Sequence, residues 1–260
     1  MPTLTLLLTG LSSTGKTTLS RLLTHIFPSV TILHQDDFYH TDSEIPVHPT
    51  LNIADWDCPA AFNFVDLASS IRDLKAADPG INVVRDSITA ASPVDAMTEI
   101  EVVGGVEVVE MLRRRVKVMG KRGWRIVVVE GILMLCVEEV EKEAEVKVLL
   151  RVGKEVARKR REGREGYVTI EGFWKDPPRY FDEIVWPNYA IHHAPLFVNH
   201  DVEGALDESV TAARGIVSPP DLEWSLREIL EWLVGVILEE MVRIEAEVSQ
   251  RDSKGERGKM

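Results

Sequence analysis

A glycine-rich segment near the start of the chain has the residue types and spacing of a phosphate-binding loop. Its pattern is G-x-x-x-x-G-K-T, formed by Gly10, Gly15, Lys16 and Thr17. The two glycines permit a tight turn that points backbone N–H groups inward, and a helix beginning near Lys16 adds the positive end of its dipole. Lys16 supplies a mobile charge for the outer phosphates, and the Thr17 hydroxyl is a suitable ligand for Mg²⁺. The spacing therefore predicts a site for the polyphosphate of a nucleoside triphosphate.

Acidic residues follow two of the apolar segments that have the character of buried strands. Asp36 and Asp37 come shortly after the run 30–33, and Glu130 lies at the end of the valine-rich run 125–131. Ligands of open α/β sheets bind at the carboxyl ends of the strands. If the run 30–33 lies next to the phosphate loop, Asp36 can take a proton from an acceptor hydroxyl or hold Mg²⁺, and Glu130 suits Mg²⁺ directly or through water. The structural alternatives are that Asp36 and Asp37 cap a turn and that Glu130 is a solvated strand end.

One segment stands out from the acidic chain by its concentration of basic residues. On a helix, Arg160 and Arg164 share a face, as do Arg161 and Arg164, so several guanidinium groups can converge on one polyphosphate. We expect residues 153–180 to form a mobile lid that closes over the nucleotide and excludes water. The alternative is an ordinary solvated face. The basic residues of this segment are Arg151, Lys154, Arg158, Lys159, Arg160, Arg161 and Arg164.

Trp56, Asp57 and Tyr167 are candidates for the site of a second substrate. An aromatic face can stack on a nucleobase, and a nearby carboxylate can accept two hydrogen bonds from a ribose diol. The structural alternative is that Trp56 packs beneath the following helix while Asp57 caps it.

The elements that must position these residues alternate between strand and helix. This alternation predicts an α/β fold in which helices cover both faces of a parallel sheet. We expect a single domain over residues 1–248 and a charged, disordered tail over residues 249–260. Residues 78–105 receive no assignment. The predicted strands are 4–8, 30–33, 125–131, 146–150 and 196–199. Two predicted helices begin near residue 16 and at residues 57–59, and three more extend over about 106–121, 155–164 and 222–248. The apolar face of the second helix is expected to consist of Phe62, Val65, Ala68, Ile71 and Leu74.

Composition and charge narrow the classes of function. The chain has 260 residues, is 45% hydrophobic and carries a formal net charge of −12, which argues against a nucleic-acid binder. Cys58 and Cys136 belong to no metal or disulfide pattern, so a reducing, cytoplasmic location fits best. The apolar run 229–238 is too short for a membrane span, and no obligate protein partner is evident.

Several motifs in a fixed order make the chain resemble the nicotinamide riboside kinase family, a relative of the uridine kinases among the P-loop nucleoside kinases. The resemblance extends from about Thr3 to about Asp207. The motifs are the phosphate loop, Gln-Asp-Asp-Phe-Tyr (35–39), Trp-Asp-x-Pro (56–59), Glu-Gly-Ile-Leu (130–133), Arg-Arg-x-x-Arg (160–164) and Tyr-Phe-Asp-x-x-Val-Trp-Pro-x-Tyr (180–189). The second motif is shared with uridine kinases, whereas the third and last are more discriminating.

The resemblance implies transfer of the ATP γ-phosphate to the ribose 5′-hydroxyl of nicotinamide riboside, which gives nicotinamide mononucleotide for NAD synthesis. It implies catalytic roles for Asp36, as the base, and for Lys16 and Arg160. Mg²⁺ would be held by Thr17, Asp36 and Glu130. The implied ATP contacts are Gly10, Leu11, Ser12, Ser13, Thr14, Gly15, Lys16, Thr17, Thr18, Arg160 and Arg164. The implied contacts to the riboside are Asp36, Asp37, Phe38, Tyr39, Trp56, Asp57, Arg161 and Tyr167, with extra residues after Arg164 complicating the match of Tyr167.

The choice of acceptor has a physical aspect beside the resemblance. Nicotinamide riboside carries a cationic ring, which favours aromatic faces and acidic surroundings, whereas uracil is neutral. Nicotinic acid riboside is a further possible acceptor. The nearest alternative is a uridine-cytidine kinase. An alternative of another class is a nucleotide-dependent switch, although the chain lacks an Asn-Lys-x-Asp guanine-reading motif.

Overall fold

The computed structural model describes residues 1–77, 96–164, 166–169 and 172–257. Most of the unassigned segment 78–105 therefore lies outside the described residues, as do positions 165, 170 and 171 of the predicted lid and the last three residues of the tail.

Seven strands and nine helices are present in the described chain. The strands are β1 (Thr3–Gly10), β2 (Val30–His34), β3 (Arg125–Gly131), β4 (Val146–Leu150), β5 (Tyr167–Val168), β6 (Phe173–Trp174) and β7 (Ile216–Val217). The helices are α1 (Lys16–Ile26), α2 (Phe64–Ala76), α3 (Ala96–Val102), α4 (Val106–Val118), α5 (Glu138–Glu141), α6 (Lys154–Glu162), α7 (Trp186–His193), α8 (Glu208–Arg214) and α9 (Leu226–Arg257).

Five strands form one parallel sheet in the order β2-β3-β1-β4-β7. The register pairs Glu130 of β3 with Leu8 of β1 on one side and with His34 of β2 on the other. This register brings the carboxyl ends of β1, β2 and β3 to one edge, where the phosphate loop begins. Because β3 separates β2 from β1, the prediction that Asp36 follows the strand next to the phosphate loop is wrong by one strand.

Alternate residues of the sheet enter two separate apolar layers, as expected for a parallel sheet buried on both faces. On one face, Leu6 and Val128 pack with α1, α4 and α9, whereas on the other Leu7 and Val129 pack with α2 and the segment before α7. The predicted fold class, a parallel sheet covered by helices on both faces, is confirmed.

The predicted strand 196–199 is wrong. Short 3₁₀ turns occupy Ala194–Leu196 and Val198–His200, and Asn199 has a left-handed φ of 54°. Pro195 lacks a backbone N–H, which disfavours sheet pairing at this point. The last strand of the sheet is instead β7, whose two residues are too few to show a periodic pattern.

Two helix boundaries also differ from the prediction. Helix α2 begins at Phe64 rather than at residues 57–59, because Asn63 accepts a hydrogen bond from the Asp66 N–H (3.1 Å) and caps it. Val65, expected on the apolar face, is 76% exposed. The final helix extends to Arg257, nine residues past the predicted end, so its backbone includes most of the tail expected to be disordered.

The predicted lid consists of α6 and the antiparallel hairpin β5–β6. Helix α6 ends at Glu162, two residues before its predicted end. Arg164 lies in the following turn, where its N–H donates to the Arg161 carbonyl (3.0 Å). The prediction that Arg164 shares a helix face with Arg160 and with Arg161 is therefore wrong, because Arg164 lies beyond the end of α6.

Candidate active site

The loop between β1 and α1 has the backbone that its glycines predict. Gly10 has a φ of 146°, and a Cβ there would lie 2.1 Å from the Leu150 carbonyl oxygen. Gly15 is left-handed, with a φ of 92°, immediately before α1. Since L side chains rarely adopt these conformations, both positions require glycine. The N-terminus of α1 consequently opens directly onto the loop, where it favours an anion.

Lys16 bridges the two ends of this loop. Its Nζ donates to the carbonyl oxygens of Gly10 and Leu11, both at 3.0 Å, and the side chain is buried. Burial lowers the pKa of the ammonium group to about 8, although the charges of Glu130 and Asp36 favour the protonated form. The charge that would meet a polyphosphate is thus held at the base of the loop.

Thr17, Glu130 and His34 form a hydrogen-bonded group beside Lys16. The Thr17 hydroxyl donates to Glu130 Oε1 (2.8 Å), and His34 Nδ1 lies 2.7 Å from the same oxygen. Burial raises the pKa of Glu130, but the His34 hydrogen bond and the Lys16 charge outweigh it, so the net pKa is lowered. Glu130 is therefore an ionised carboxylate fixed within the site, which excludes the alternative of a solvated strand end.

Asp36 lies in a short 3₁₀ helix, Gln35–Phe38, directly after β2. Neighbouring Gln35 is fully buried, and its Oε1 accepts a hydrogen bond from the Ile132 N–H (2.6 Å). The Asp36 side chain itself is exposed in the open cleft. Although water reaches the side chain, partial desolvation by the surrounding groups and the nearby charge of Glu130 raise the pKa of the Asp36 carboxyl to about 6.

The donor set fits Mg²⁺. Mg²⁺ in kinase sites takes one or two carboxylates and leaves its other positions to water and phosphate oxygens. Thr17 and Glu130 supply a hydroxyl and an ionised carboxylate within hydrogen-bond distance of each other, and Asp36 is close enough for the charge of Glu130 to shift its pKa. Within the described residues, no group of three or more His, Cys, Asp or Glu side chains is arranged to hold a metal ion by itself.

The basic helix α6 reaches the phosphate loop. Arg160 Nη1 lies 3.4 Å from the Ser13 carbonyl oxygen, a long hydrogen bond from an exposed side chain. The charge of Arg164 lowers the pKa of Lys16, and its guanidinium lies 5.3 Å from the centre of the Tyr167 ring. Arg160 and Arg164 thus face the cleft that contains Lys16.

Arg161 has a different environment from its two neighbours. It is only 6% exposed, and its guanidinium binds Asp57 through two contacts, Nη1–Oδ1 at 2.8 Å and Nη2–Oδ2 at 2.9 Å. Its Nε also donates to Asp176 (2.6 Å). The alternatives that Arg161 belongs to a solvated face and that Asp57 caps a helix are both wrong. The sequence analysis did not predict Asp176 as a site residue. Its neighbours, Lys-Asp-Pro-Pro (175–178), are typical of an exposed loop and do not indicate that it binds Arg161.

An aromatic cluster lies against this ion pair. The Trp56 ring meets Tyr39 edge to face at 5.2 Å and Trp174 at 5.8 Å, and Tyr167 lies 5.1 Å from the Arg161 guanidinium. The buried Trp56 Nε1 and Tyr167 Oη have no hydrogen-bond partner within the described structure. Phe38 is buried in the apolar core on the face of the sheet that packs against α2. The cluster therefore concentrates aromatic rings beside the Asp57–Arg161 pair, and it includes two buried polar atoms without a hydrogen-bond partner in the described structure.

The remaining predicted site residues lie within the same segments. Asp37 is in the 3₁₀ helix that carries Asp36, and Thr18 is half-buried in the first turn of α1. Ser13 has a left-handed φ of 70°. The loop residues Leu11, Ser12 and Thr14 are buried. Arg151, the residue directly after β4, donates a hydrogen bond to the Gly204 carbonyl oxygen (2.6 Å).

Two further features of the described chain bear on its environment. Both cysteines, Cys58 and Cys136, are unpaired. Among the described residues, no helix combines the length and the apolar character required to cross a membrane.

The chain is similar in sequence to known nicotinamide riboside kinases. The chain is 34% identical over 232 residues to a nicotinamide riboside kinase of Saccharomyces cerevisiae, which covers 86% of this chain and 94% of that protein. It is 33% identical over 232 residues to the nicotinamide riboside kinase of Schizosaccharomyces pombe, covering 88% and 94%. No family model matches the chain. Among solved structures, a possible uridine kinase from Bacillus stearothermophilus is 15% identical, with a TM-score of 0.42 over 80% of this chain and 90% of that one.

Proposed function

The chain belongs to the nicotinamide riboside kinase family, and from this membership we propose that its site transfers the γ-phosphoryl group of ATP to the ribose 5′-hydroxyl of nicotinamide riboside. The product is nicotinamide mononucleotide, a precursor of NAD. The observation that supports the proposal is the contact between Arg160 Nη1 and the Ser13 carbonyl oxygen (3.4 Å), because it brings a basic side chain of α6 next to the loop in which Lys16 is held.

The donor side is the phosphate loop. On ATP binding, the Lys16 ammonium exchanges its contacts with the Gly10 and Leu11 carbonyls for phosphate oxygens. Thr17, Glu130 and Asp36 would hold Mg²⁺, which supplies charge neutralisation between the β- and γ-phosphates. His34 fixes the Glu130 carboxylate by its hydrogen bond at 2.7 Å.

Asp36 is the proposed general base. It lies at the carboxyl edge of the sheet, and a pKa of about 6 keeps it ionised at neutral pH while making it a better proton acceptor than an ordinary aspartate. It takes the proton of the 5′-hydroxyl as that oxygen bonds to the γ-phosphorus, while the bond from the γ-phosphorus to the β–γ bridging oxygen breaks and ADP leaves. A positioned base of this kind contributes roughly 10² to 10⁴ in rate.

Stabilisation of charge is the larger contribution. Positioned arginines in phosphoryl transfer are worth about 10³ to 10⁵ in rate. Arg160 and Arg164 are exposed side chains on the lid, directed at the loop and at Lys16, and are therefore free to follow the charge that develops on the γ-phosphoryl oxygens. Closure of the lid also excludes water, which would otherwise hydrolyse ATP.

The acceptor side is built around the Asp57–Arg161 pair. Each Asp57 oxygen accepts one hydrogen bond from Arg161, and a carboxylate has further lone pairs with which to accept from a ribose diol. Trp56 and Tyr39 provide aromatic rings beside it, which suit a cationic pyridinium ring. The proposed cytoplasmic location and the lack of an obligate protein partner stay predictions.

A nucleoside panel tests the function. Purified protein is incubated with ATP and Mg²⁺ and with nicotinamide riboside, nicotinic acid riboside, uridine or cytidine, and products are identified by mass. The expected result is a phosphorylated product from nicotinamide riboside, with none from its 5′-deoxy analogue. Phosphorylation of uridine but not of nicotinamide riboside would refute the assignment, and slow ATP hydrolysis without any phosphorylated nucleoside would indicate a nucleotide switch.

A further inference from the structure

Residues 54–57 form the acceptor loop, which carries both Trp56 and Asp57. The loop lies outside the central sheet and is joined to a neighbouring segment by an isolated bridge between Ala54 and Val47. Its placement relative to Arg161 nevertheless has to be accurate, because the two contacts of the Asp57–Arg161 pair depend on it. The contacts that hold the loop come from a distant segment, residues 180–188, whose sequence is a distinguishing motif with no role in the chemistry proposed above.

Tyr180 holds the backbone of the acceptor loop on both sides of Asp55. Its hydroxyl accepts a hydrogen bond from the Trp56 N–H (3.0 Å) and donates one to the Ala54 carbonyl oxygen (3.2 Å). The Tyr180 side chain is 1% exposed, and its ring lies 5.5 Å from the Arg161 guanidinium. One hydroxyl therefore satisfies two buried backbone groups of the loop at a fixed distance from the ion pair.

Asn188 holds the side chain at the centre of the same loop. Its Nδ2 lies 2.9 Å from Asp55 Oδ1 and 3.0 Å from Asp55 Oδ2. Asp55 Oδ1 in turn accepts a hydrogen bond from the Asp57 N–H (3.1 Å). A chain of hydrogen bonds thus leads from Asn188 through Asp55 to the backbone of Asp57, and all three loop residues 55–57 are buried.

We propose that Tyr180 and Asn188 are positioning residues for the acceptor nucleoside: they fix the acceptor loop so that Trp56 and Asp57 meet the riboside, and they act on neither ATP nor the phosphoryl transfer itself. The inference rests on the proposed function for the identity of the nucleoside. Their contacts reach the acceptor loop and not residues 10–18, so their loss affects the two substrates unequally.

The test is steady-state kinetics of Tyr180→Phe, Asn188→Leu and the double variant. Tyr180→Phe keeps the buried ring and removes the hydroxyl, which leaves two buried backbone groups unpaired. We expect the KM for nicotinamide riboside to rise about tenfold. The kcat, the KM for ATP and the slow hydrolysis of ATP without acceptor are expected to stay within twofold. Asn188→Leu is expected to have the same pattern, and thermal melting of each variant reports any loss of folding.

Tyr189→Phe is the matched control. It makes the same substitution in the same segment, but the Tyr189 ring stacks on His193 (4.4 Å) and Trp186 (5.5 Å) instead of holding the loop. The inference is overturned if Tyr180→Phe leaves the KM of the nucleoside unchanged, or if the KM for ATP rises in parallel. If wild-type protein phosphorylates a different nucleoside, the proposed function fails, and the same comparison on that nucleoside still decides the roles of Tyr180 and Asn188.

Discussion

The Asp57 carboxylate and the Arg161 guanidinium form a two-contact ion pair, with Oδ1–Nη1 at 2.8 Å and Oδ2–Nη2 at 2.9 Å, although 104 residues separate them in the chain. The pair joins the loop that carries Trp56 to the helix that carries Arg160. The acceptor loop and the first helix of the lid are therefore in direct contact through this buried pair.

Arg161→Lys tests this connection. Lysine keeps the charge but cannot reproduce the planar, two-contact geometry, and Asp176 would lose its own contact as well. We expect the KM for nicotinamide riboside to rise about tenfold or more, as for the loss of one or two charge-assisted hydrogen bonds. Arg161→Met, which leaves the buried Asp57 carboxylate without its ion-pair partner, should lower the free energy of unfolding by about 3–5 kcal/mol, measured by urea denaturation.

Arg158→Lys is the control for that series. Arg158 lies on the same helix and pairs with Asp182 at 2.8 Å, but its side chain is 31% exposed. An exposed pair contributes about 0–1 kcal/mol, so this variant is expected to retain both stability and nucleoside KM. Equal losses in Arg158→Lys and Arg161→Lys would contradict a specific role of the buried pair.

Asp36→Asn removes the proposed base while keeping the shape of the side chain. We expect turnover to fall at least about a hundredfold, within the range for loss of a general base. Binding of ATP, measured by calorimetry, should change little, because Lys16 and the loop backbone supply most of the phosphate contacts. Near-normal turnover of this variant would remove Asp36 from the mechanism.

The depressed pKa of Lys16 predicts a pH dependence of ATP binding. The free protein loses the Lys16 proton as pH rises through about 8, whereas bound polyphosphate favours the protonated form and raises its pKa. Binding above that pH must therefore take up a proton, and the Kd should rise by up to about tenfold per pH unit. Below about pH 7 this group is largely protonated and adds little pH dependence. Lys16→Met should bind ATP more weakly and lose the alkaline dependence; a wild-type Kd that is constant to pH 9.5 would contradict the prediction.

Gly131→Ala tests the packing that places Asp36. A Cβ at Gly131 would lie 2.0 Å from Gln35 Oε1 and 2.5 Å from Gln35 Cβ, so Gln35 would have to move and the 3₁₀ helix with it. We expect the free energy of unfolding to fall by about 1–3 kcal/mol, as for other overpacked sites, together with a loss of turnover. Gly153→Ala is the control, because a Cβ there has no neighbour within 4 Å in the described structure. A Gly131→Ala protein as stable and active as Gly153→Ala would show that Gln35 does not fix Asp36.

The local pattern of apolar residues was sufficient to predict the central strands of the sheet. The strands at 125–131 and 146–150 were predictable to the residue, since uninterrupted runs of β-branched and aliphatic side chains are typical of buried parallel strands. The phosphate loop was equally predictable, because its function depends on a short contiguous sequence. In contrast, β7 has two residues, and its position at the sheet edge depends on pairing with β4 rather than on its own sequence.

The long-range contacts of the candidate site were not predictable from local sequence. Asp57 lies two residues before Pro59, a pattern typical of a helix cap, yet its side chain binds Arg161. Nothing in the sequence of either segment indicates that the two residues form a pair. The same holds for Tyr180 and Asn188, whose contacts to residues 54–56 follow from the packing of α7 and the segment before it. Such roles become visible only when the fold brings the segments together.

The most direct test of the proposed activity is the ratio of kcat/KM for nicotinamide riboside to kcat/KM for uridine, with ATP and Mg²⁺ saturating. A cation facing desolvated aromatic rings gains about 2 kcal/mol, which corresponds to a preference of about thirtyfold for the riboside. That preference, lost when Trp56 is replaced by leucine, is the predicted result. A ratio of one or below for the wild-type protein would contradict the assignment of the acceptor site to a cationic nucleoside.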